Sequence, residues 1–256
     1  MTTEEFSNNM DAMLNSYASE AQFGEQAAKS EIVLDEYEKS VILTQAQDIV
    51  VKSFFDRKLN QAGDGFDDST RRQVDFSSLI TVATLSQSSS QTNKFDKRGI
   101  LYDMPERSAG STDVLFILNE KLEATVGNVA KTYVVVPINY KEYDREMSKA
   151  YAQPLKKQAW RLFQNVTTGF DFKSELIPIW DLTTTGTITA YKIRYVRRPT
   201  PIVLVNLDAG LSVDGVSTVS ECELNPILHP EILQKAVEIA AATRGITRPQ
   251  RENNNQ

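Results

Sequence analysis

The residues whose types and spacing suit chemistry lie in one stretch, SECELNPILHPEILQKAVEIAAATRG, residues 220 to 245. It contains Cys222 and His229, the only cysteine and the only histidine of the chain. A thiol needs a neighbouring imidazole to become a nucleophilic thiolate, so the pair is compatible with a cysteine hydrolase. No third group has a spacing suited to orienting the imidazole. We therefore interpret both side chains as packing groups and keep the hydrolase as an alternative.

The sequence around this pair predicts a helix rather than a catalytic loop. Pro230 suits the first turn of a helix, apolar residues then recur at helical spacing, and Gly245 follows the last turn. On this interpretation His229 lies at the helix entry. Cys222 lies on an extended segment before it, where a thiol usually packs as a small apolar group.

Composition and motifs argue against several classes of protein. The 256 residues are 41% hydrophobic and 24% charged, which is typical of a soluble globular chain. No apolar run is long enough to span a bilayer, and the start MTTEEFSNNM lacks the features of a secretory signal. One cysteine and one histidine argue against a zinc site, and no P-loop, dinucleotide fingerprint, HExxH or nucleophile elbow is present. We predict no metal, no cofactor, no membrane contact and no enzymatic activity.

Acidic residues are concentrated at the start of the chain. Residues 1 to 40 contain nine acidic and two basic residues, a net charge of −7, whereas the whole chain carries −6. Residues 1 to 30 are otherwise polar, with sparse apolar residues at near-helical spacing. We predict an acidic N-terminal arm over residues 1–30, a body over residues 31–245 and a polar tail over residues 246–256.

The hydrophobic pattern predicts an α+β fold with a helical core and antiparallel β-hairpins. The helices are a long N-terminal one from Ser30 onward, two short central ones in YKEYDREMSKAY and PLKKQAWRLFQN, and the C-terminal one. One hairpin is expected to turn at Gly127-Asn128 and a second one at Gly186. In the second central helix we interpret the WRL cluster, residues 160 to 162, as core.

The second strand of the second hairpin alternates aromatic or aliphatic residues with basic ones, which predicts one packed face and one wet face. Its basic residues, with the two that follow, are Lys192, Arg194, Arg197 and Arg198. Such a row can bind phosphates, so a nucleic-acid-binding module is a further alternative. The aromatic residues lie on the opposite face, which does not support a base-stacking platform.

Three longer stretches resemble a known family. They are RGILYDMPERSAGSTDVLFILNEKLEATVG, VVVPINYKEYDREMSKAYAQPLKKQAWRLF, and YKIRYVRRPTPIVL followed by CELNPILHPEILQKAVEIAAATRG. In this order they resemble the neck proteins of tailed bacteriophages, especially the ring proteins of crAss-like phages, over roughly residues 35 to 245. The segment SKAYAQP departs from the commonest pattern, which has an Asn-Pro before the second helix. The resemblance therefore leaves open which ring of the neck this is.

The resemblance implies a structural head-to-tail adaptor. Such proteins form rings, commonly twelve-fold, below the portal, where they retain packaged DNA and allow the tail to attach. The implied partners are further copies of the chain, the portal protein, adjacent neck or tail rings, and DNA that passes through without specific binding. The implied location is the neck of the virion, after assembly in the host cytoplasm.

A ring subunit needs a rigid body and extended segments that clasp its neighbours, because a heterologous interface closes a ring only at the correct rotation. We expect the acidic arm and the tail ITRPQRENNNQ to be such segments, since neither has enough apolar content to fold alone. The candidate partner contacts are Phe6, Leu14, Tyr17, Lys192, Arg194, Arg197, Arg198, Arg248 and Arg251.

Overall fold

The structure is a computed structural model that describes residues 1–21, 33–55, 70–108, 111–149, 158–165, 172–178 and 186–244. The described residues form five α-helices: α1 (Thr3–Ala21), α2 (Glu36–Phe55), α3 (Thr70–Asp75), α4 (Tyr140–Met147) and α5 (His229–Thr243). They also form nine strands: β1 (Ile80–Leu85), β2 (Ile100–Asp103), β3 (Glu106–Ser108), β4 (Ser111–Thr112), β5 (Val114–Val126), β6 (Val129–Pro137), β7 (Gln158–Asn165), β8 (Phe172–Pro178) and β9 (Gly186–Arg197). The chain divides into a helical unit, Met1–Leu79 with Pro199–Gln256, and a sheet unit, Ile80–Arg198.

The core of the helical unit forms where the apolar faces of α1, α2 and α5 meet. Phe6, Met10 and Leu14 recur every fourth residue along α1, and all three are buried. The helix α5 contacts both α1 and α2, and its buried Ala236 and Ala240 have small side chains that allow close approach. The first helix therefore packs on its own chain.

The sheet unit contains a curled, mixed sheet of seven strands in the order β1-β9-β5-β6-β7-β8-β2. Neighbouring strands are antiparallel except β6 and β7, which are parallel. Past β1, the chain pairs with the opposite edge strand β2: Ser88 N–H donates to the Leu101 carbonyl, and Asp103 N–H donates to the Ser86 carbonyl. Backbone groups along part of both edges are thereby satisfied.

Side chains cover both faces of this sheet. The inner face is filled by apolar and aromatic residues that include Leu122, Leu176, Tyr191 and Ile193. On the outer face α4 covers β7 and β8, where Tyr143 packs with Trp160, Leu162 and Ile177. Residues 160 to 162 are all buried, which confirms their predicted place in the core.

The predicted fold class is wrong, because the curled mixed sheet and not a helical core organises the middle of the chain. The segment predicted as the second central helix contributes the strand β7 instead. Its residues Ala159 and Arg161 face inward, while Trp160 and Leu162 pack under α4. A strand covered on both faces loses the alternation of apolar and polar residues, so the pattern of this segment favours a helix although it forms a strand.

Of the two predicted hairpins, the first is confirmed and the second is wrong. The strands β5 and β6 pair antiparallel around Gly127 and Asn128, whose φ angles of 58° and 65° suit a two-residue hairpin turn. The strands β8 and β9 do not pair with each other: β8 lies between β7 and β2, and β9 lies between β1 and β5. Alternation of residues identifies a strand, but it does not identify the strand's neighbours.

Candidate assembly surfaces and the Cys222–His229 pair

The His229 ring makes its polar contacts with groups other than Cys222, and the Cys222 thiol is held in its protonated form by burial. The buried His229 ring has Nε2 at 3.1 Å from the Leu224 carbonyl oxygen and Nδ1 at 2.9 Å from the Met1 nitrogen. Burial lowers the pKa of His229 below its ordinary value, and burial raises the pKa of the Cys222 thiol to about 11. A thiol that stays protonated near neutral pH is a poor nucleophile. The geometry thus favours packing over hydrolysis.

The helix α1 is held to α2 by an ion cluster around Lys39. This side chain is only 4% exposed, and its Nζ donates to Asp11 at 2.7 Å, Glu36 at 2.9 Å and Ser7 at 3.0 Å. Burial by itself would lower the pKa of Lys39, but the hydrogen bonds to Asp11 and Glu36 outweigh it and raise the pKa above its ordinary value. The cluster supplements the apolar stripe of α1 with a specific polar contact.

Because α1 packs on α2 and α5, two of the residues of the arm that were predicted to contact a partner are buried within the helical unit instead. Phe6 is 1% exposed and Leu14 is fully buried, and the Phe6 ring lies 5.1 Å from the His229 ring between centroids. While α1 stays packed, these two side chains stabilise the helical unit and do not reach a partner. The side chain of Tyr17, and Arg248 and Arg251, lie outside the described residues.

The basic residues of β9 have different environments. Lys192 donates to both carboxylate oxygens of Glu123 at 3.0 Å, and this hydrogen bond is the main cause that lowers the pKa of Glu123. Arg194 is exposed, whereas Arg197 and Arg198 are half-buried. The predicted wet face of the strand is confirmed, but an acidic neighbour already partners Lys192.

The low-complexity stretch SQSSSQTNK predicts an exposed loop, and residues 88–99 form one, but the buried carboxylate that fixes this loop to the sheet was missed by sequence reasoning. We name this loop the aromatic loop. Glu175 on β8 is fully buried and accepts the backbone N–H groups of Phe95 at 3.1 Å and Asp96 at 2.9 Å. A Cβ atom on Gly99 would lie 2.0 Å from the Glu175 Oε1 atom, so only glycine leaves room for this carboxylate. Burial raises the pKa of Glu175 above its ordinary value.

A second set of hydrogen bonds ties the same loop to α4. Tyr143 donates its hydroxyl to Asp96 at 2.5 Å, and Arg98 binds the same carboxylate with its Nε at 3.3 Å and a terminal nitrogen at 3.0 Å. Burial alone would raise the pKa of Asp96, but the hydrogen bonds from Arg98 and Tyr143 hold it below its ordinary value. The loop is therefore rigidly positioned by charge-assisted bonds.

This rigid loop presents an aromatic side chain to solvent. Phe95 is 63% exposed although its ring contacts Tyr143 edge-on, with 5.3 Å between centroids. One helical turn before Tyr143, Tyr140 is also 63% exposed, and its hydroxyl donates to the Phe163 carbonyl oxygen. Fixed, exposed aromatic side chains are the type that dominates protein interfaces.

The inner side of the sheet contains a separate polar network. Arg161 Nε lies 3.0 and 3.1 Å from the two carboxylate oxygens of Glu120, and its guanidinium stacks on Phe163 with 3.9 Å between the central carbon and the ring centroid. Tyr191 donates its hydroxyl to Glu120 at 2.7 Å. Burial is the main cause that raises the pKa of Tyr191. This network joins β5, β7 and β9.

Within the described residues, no three or more His, Cys, Asp or Glu side chains are placed to hold a metal ion. The helices of that part of the chain are also too short or too polar to cross a membrane.

The sequence of the chain matches one protein family and two related phage proteins along almost its whole length. The family described as "Phage tail ring protein 3/4" matches residues 1–252. "Ring protein 4/5" of Bacteroides phage crAss001 is 44% identical over 247 residues, which cover 94% of this chain and 93% of that protein. "Ring protein 3" of the same phage is 32% identical over 247 residues, which cover 95% of this chain and 96% of that protein. The resemblance inferred from the sequence is confirmed, and the chain belongs to the phage tail ring protein 3/4 family of crAss-like phages.

Proposed function

We propose that the chain forms one ring of the phage neck, between the portal and the tail, and that it completes the head and lets DNA pass. The observation that carries this proposal is the similarity to two phage ring proteins along almost the whole chain. The rings consist of copies of this chain, twelve in number, and contact the portal protein and a neighbouring neck or tail ring. The neck stack assembles in the host cytoplasm, and the subunits have no catalytic role.

The geometry supports a structural role through rigidity. A ring closes only when every subunit repeats the same rotation, so the subunit must hold its shape under load. The buried network of Glu120 and Arg161 and the anchoring of the aromatic loop by Glu175 both fix backbone position within the sheet unit. No described residue pair resembles an activated nucleophile.

Native mass spectrometry of the purified chain tests this function, alone and with the portal protein. We expect either a closed ring or a monomer that assembles on the portal. Twelve copies of a 28.7 kDa chain give a complex of about 344 kDa. A chain that stays monomeric under both conditions contradicts the proposal.

Passage of DNA without specific binding is tested separately with a labelled duplex. Since Lys192 is paired with Glu123, which it shares with Lys121, we expect weak fluorescence anisotropy changes even at low salt. Tight binding that falls steeply with salt and is lost in Arg194→Ala would favour the nucleic-acid-binding alternative.

A further inference from the structure

The two units of this chain carry opposite charge. The helical unit contains 22 acidic and 11 basic residues, a net charge of −11, whereas the sheet unit contains 12 acidic and 17 basic residues, a net charge of +5. A ring built from one chain needs two different, complementary surfaces on every copy. Opposite charges on these surfaces speed their encounter and disfavour the wrong orientation.

On the helical unit, exposed apolar and acidic side chains coincide in residues 203–221, which we name the acidic lobe. Its ends pair through reciprocal backbone hydrogen bonds between Val203 and Ser220, and its tip turns at Asp214 and Gly215, both with positive φ. The exposed apolar residues of the lobe are Val205, Leu211 and Val219, each more than 40% exposed. Asp208 and Glu221 are exposed beside them, and no Lys or Arg occurs between residues 199 and 234.

On the sheet unit, the aromatic loop and the start of α4 carry exposed aromatic side chains with basic side chains nearby in the sequence. Lys94 and Lys97 flank the exposed Phe95, and Lys141 follows the exposed Tyr140. Lys97 is exposed, whereas Lys94 is half-buried and its charge opposes the rise in the pKa of Glu175, so Lys97 presents most of the positive charge of the loop to a partner. The anchoring by Glu175 means that little conformational freedom is lost when a partner binds.

We infer that the acidic lobe of one copy docks on the aromatic loop of the next copy and that this contact closes the ring. The partner is a second copy of this chain, because the two surfaces complement each other in charge and both offer exposed apolar groups. The inference rests on the proposed ring function and adds the surfaces that join its subunits.

Charge reversal in two separate variants tests the contact. The loop variant is Lys94→Glu with Lys97→Glu, and the lobe variant is Asp208→Lys with Glu221→Lys. Each variant alone sets like charges against each other, so we expect the assembled fraction in native mass spectrometry to fall about tenfold or more. An equal mixture of the two restores complementary pairs between copies, and we expect the assembly to return.

Matched controls carry the same charge change at exposed sites elsewhere on each unit. They are Lys131→Glu with Arg194→Glu on the sheet unit, and Glu4→Lys with Glu238→Lys on the helical unit. We expect both to assemble as the wild type does. An equal loss in the controls would assign the effect to net charge and would contradict the docking surfaces.

A second measurement detects the contact directly. Wild-type chains labelled with ¹⁴N and ¹⁵N are mixed and treated with a zero-length carbodiimide cross-linker that joins Lys to Asp or Glu. We expect mixed-isotope links from Lys94 or Lys97 to Asp208 or Glu221. A ring that forms without these links, and in spite of both charge reversals, overturns this inference and leaves the ring function intact. A wild type that never assembles, even with the portal, overturns the ring function itself.

Discussion

The helical unit and the sheet unit hold their parts in place by different means. In the helical unit the first helix is attached by an apolar stripe, and one lysine, Lys39, supplies the polar contact with Asp11 and Glu36. In the sheet unit a fully buried carboxylate, Glu175, and a buried ion pair, Glu120 with Arg161, lie inside the structure. Apolar packing dominates the attachment of α1, and buried polar anchors fix the aromatic loop.

The difference follows from where backbone hydrogen bonds can be made. A helix satisfies its own N–H groups, so helices can pack through apolar side chains alone. The aromatic loop runs over a sheet and has no ladder to receive the N–H groups of Phe95 and Asp96, so Glu175 supplies the acceptors. Loss of the Glu175 anchor should therefore cost more than loss of the partly exposed cluster around Lys39.

The largest expected effect is that of Gly99→Ala. The new methyl group would meet the Glu175 carboxylate, which cannot swing away without abandoning two backbone N–H groups. Leaving buried polar groups unpaired, with the strain of an extra carbon, costs about 2–4 kcal/mol of the free energy of unfolding. Urea denaturation measures this loss.

A double-mutant cycle with Glu175→Ala identifies the cause. Once the carboxylate is gone, the methyl group at position 99 has room, so Gly99→Ala should cost much less in that background. Additive costs of the two substitutions would show that the carboxylate is not what excludes a side chain from position 99.

A smaller loss is expected for Lys39→Met in the helical unit. The substitution keeps the length of the side chain but removes the charge that binds Asp11 and Glu36. Because both acids are about a third exposed, water screens the pair, and we expect a loss of about 1–2 kcal/mol in the free energy of unfolding. Hydrogen exchange of α1 should rise with it.

The matched control is Lys235→Met on α5. Lys235 pairs with Glu238 in a bridge whose two side chains are 40% and 45% exposed, so its removal should cost less than about 0.5 kcal/mol. Equal losses at positions 39 and 235 would mean that the cluster on Lys39 adds nothing to the apolar stripe.

The sequence alone predicts the structure where the signal is local and fails where the structure depends on contacts between distant residues. Local signals predict local structure: Gly127-Asn128 marks a hairpin, and Pro230 with the apolar repeat marks α5. Pairing of distant strands has no local signal, so the neighbours of β8 and β9 were not predictable from their alternation. Glu175 is a visible anomaly in the strand FKSELIP, but the N–H groups it accepts lie about 80 residues away. The exposure of Phe95 depends on that long-range contact.

A pH dependence should arise from His229 in the helical unit. Burial lowers its pKa in the folded state, so below its ordinary value of 6.5 the unfolded chain binds a proton more readily than the folded chain. Stability should therefore fall as the pH drops below about 6.5, by at most about 1.4 kcal/mol per pH unit. His229→Gln keeps a donor for the Leu224 carbonyl and removes the titration, so its stability should depend less on pH. Identical pH profiles for both proteins would exclude His229 as the cause.

Apart from the control at Lys235, a small effect on stability is expected for Cys222→Ala, about 1 kcal/mol or less, since the thiol serves only as a small packing group. The reactivity of the Cys222 thiol in the wild-type chain is a more informative measurement than the stability of the variant. With a pKa of about 11 against an ordinary value of 9.0, the folded chain presents about a hundredfold less thiolate than a free cysteine does at neutral pH. Alkylation by iodoacetamide should therefore be slower by about that factor in the folded chain than in urea. Alkylation as fast in the folded chain as in urea would mean an activated thiol, and the helical unit would then have to be reconsidered as the site of a hydrolase.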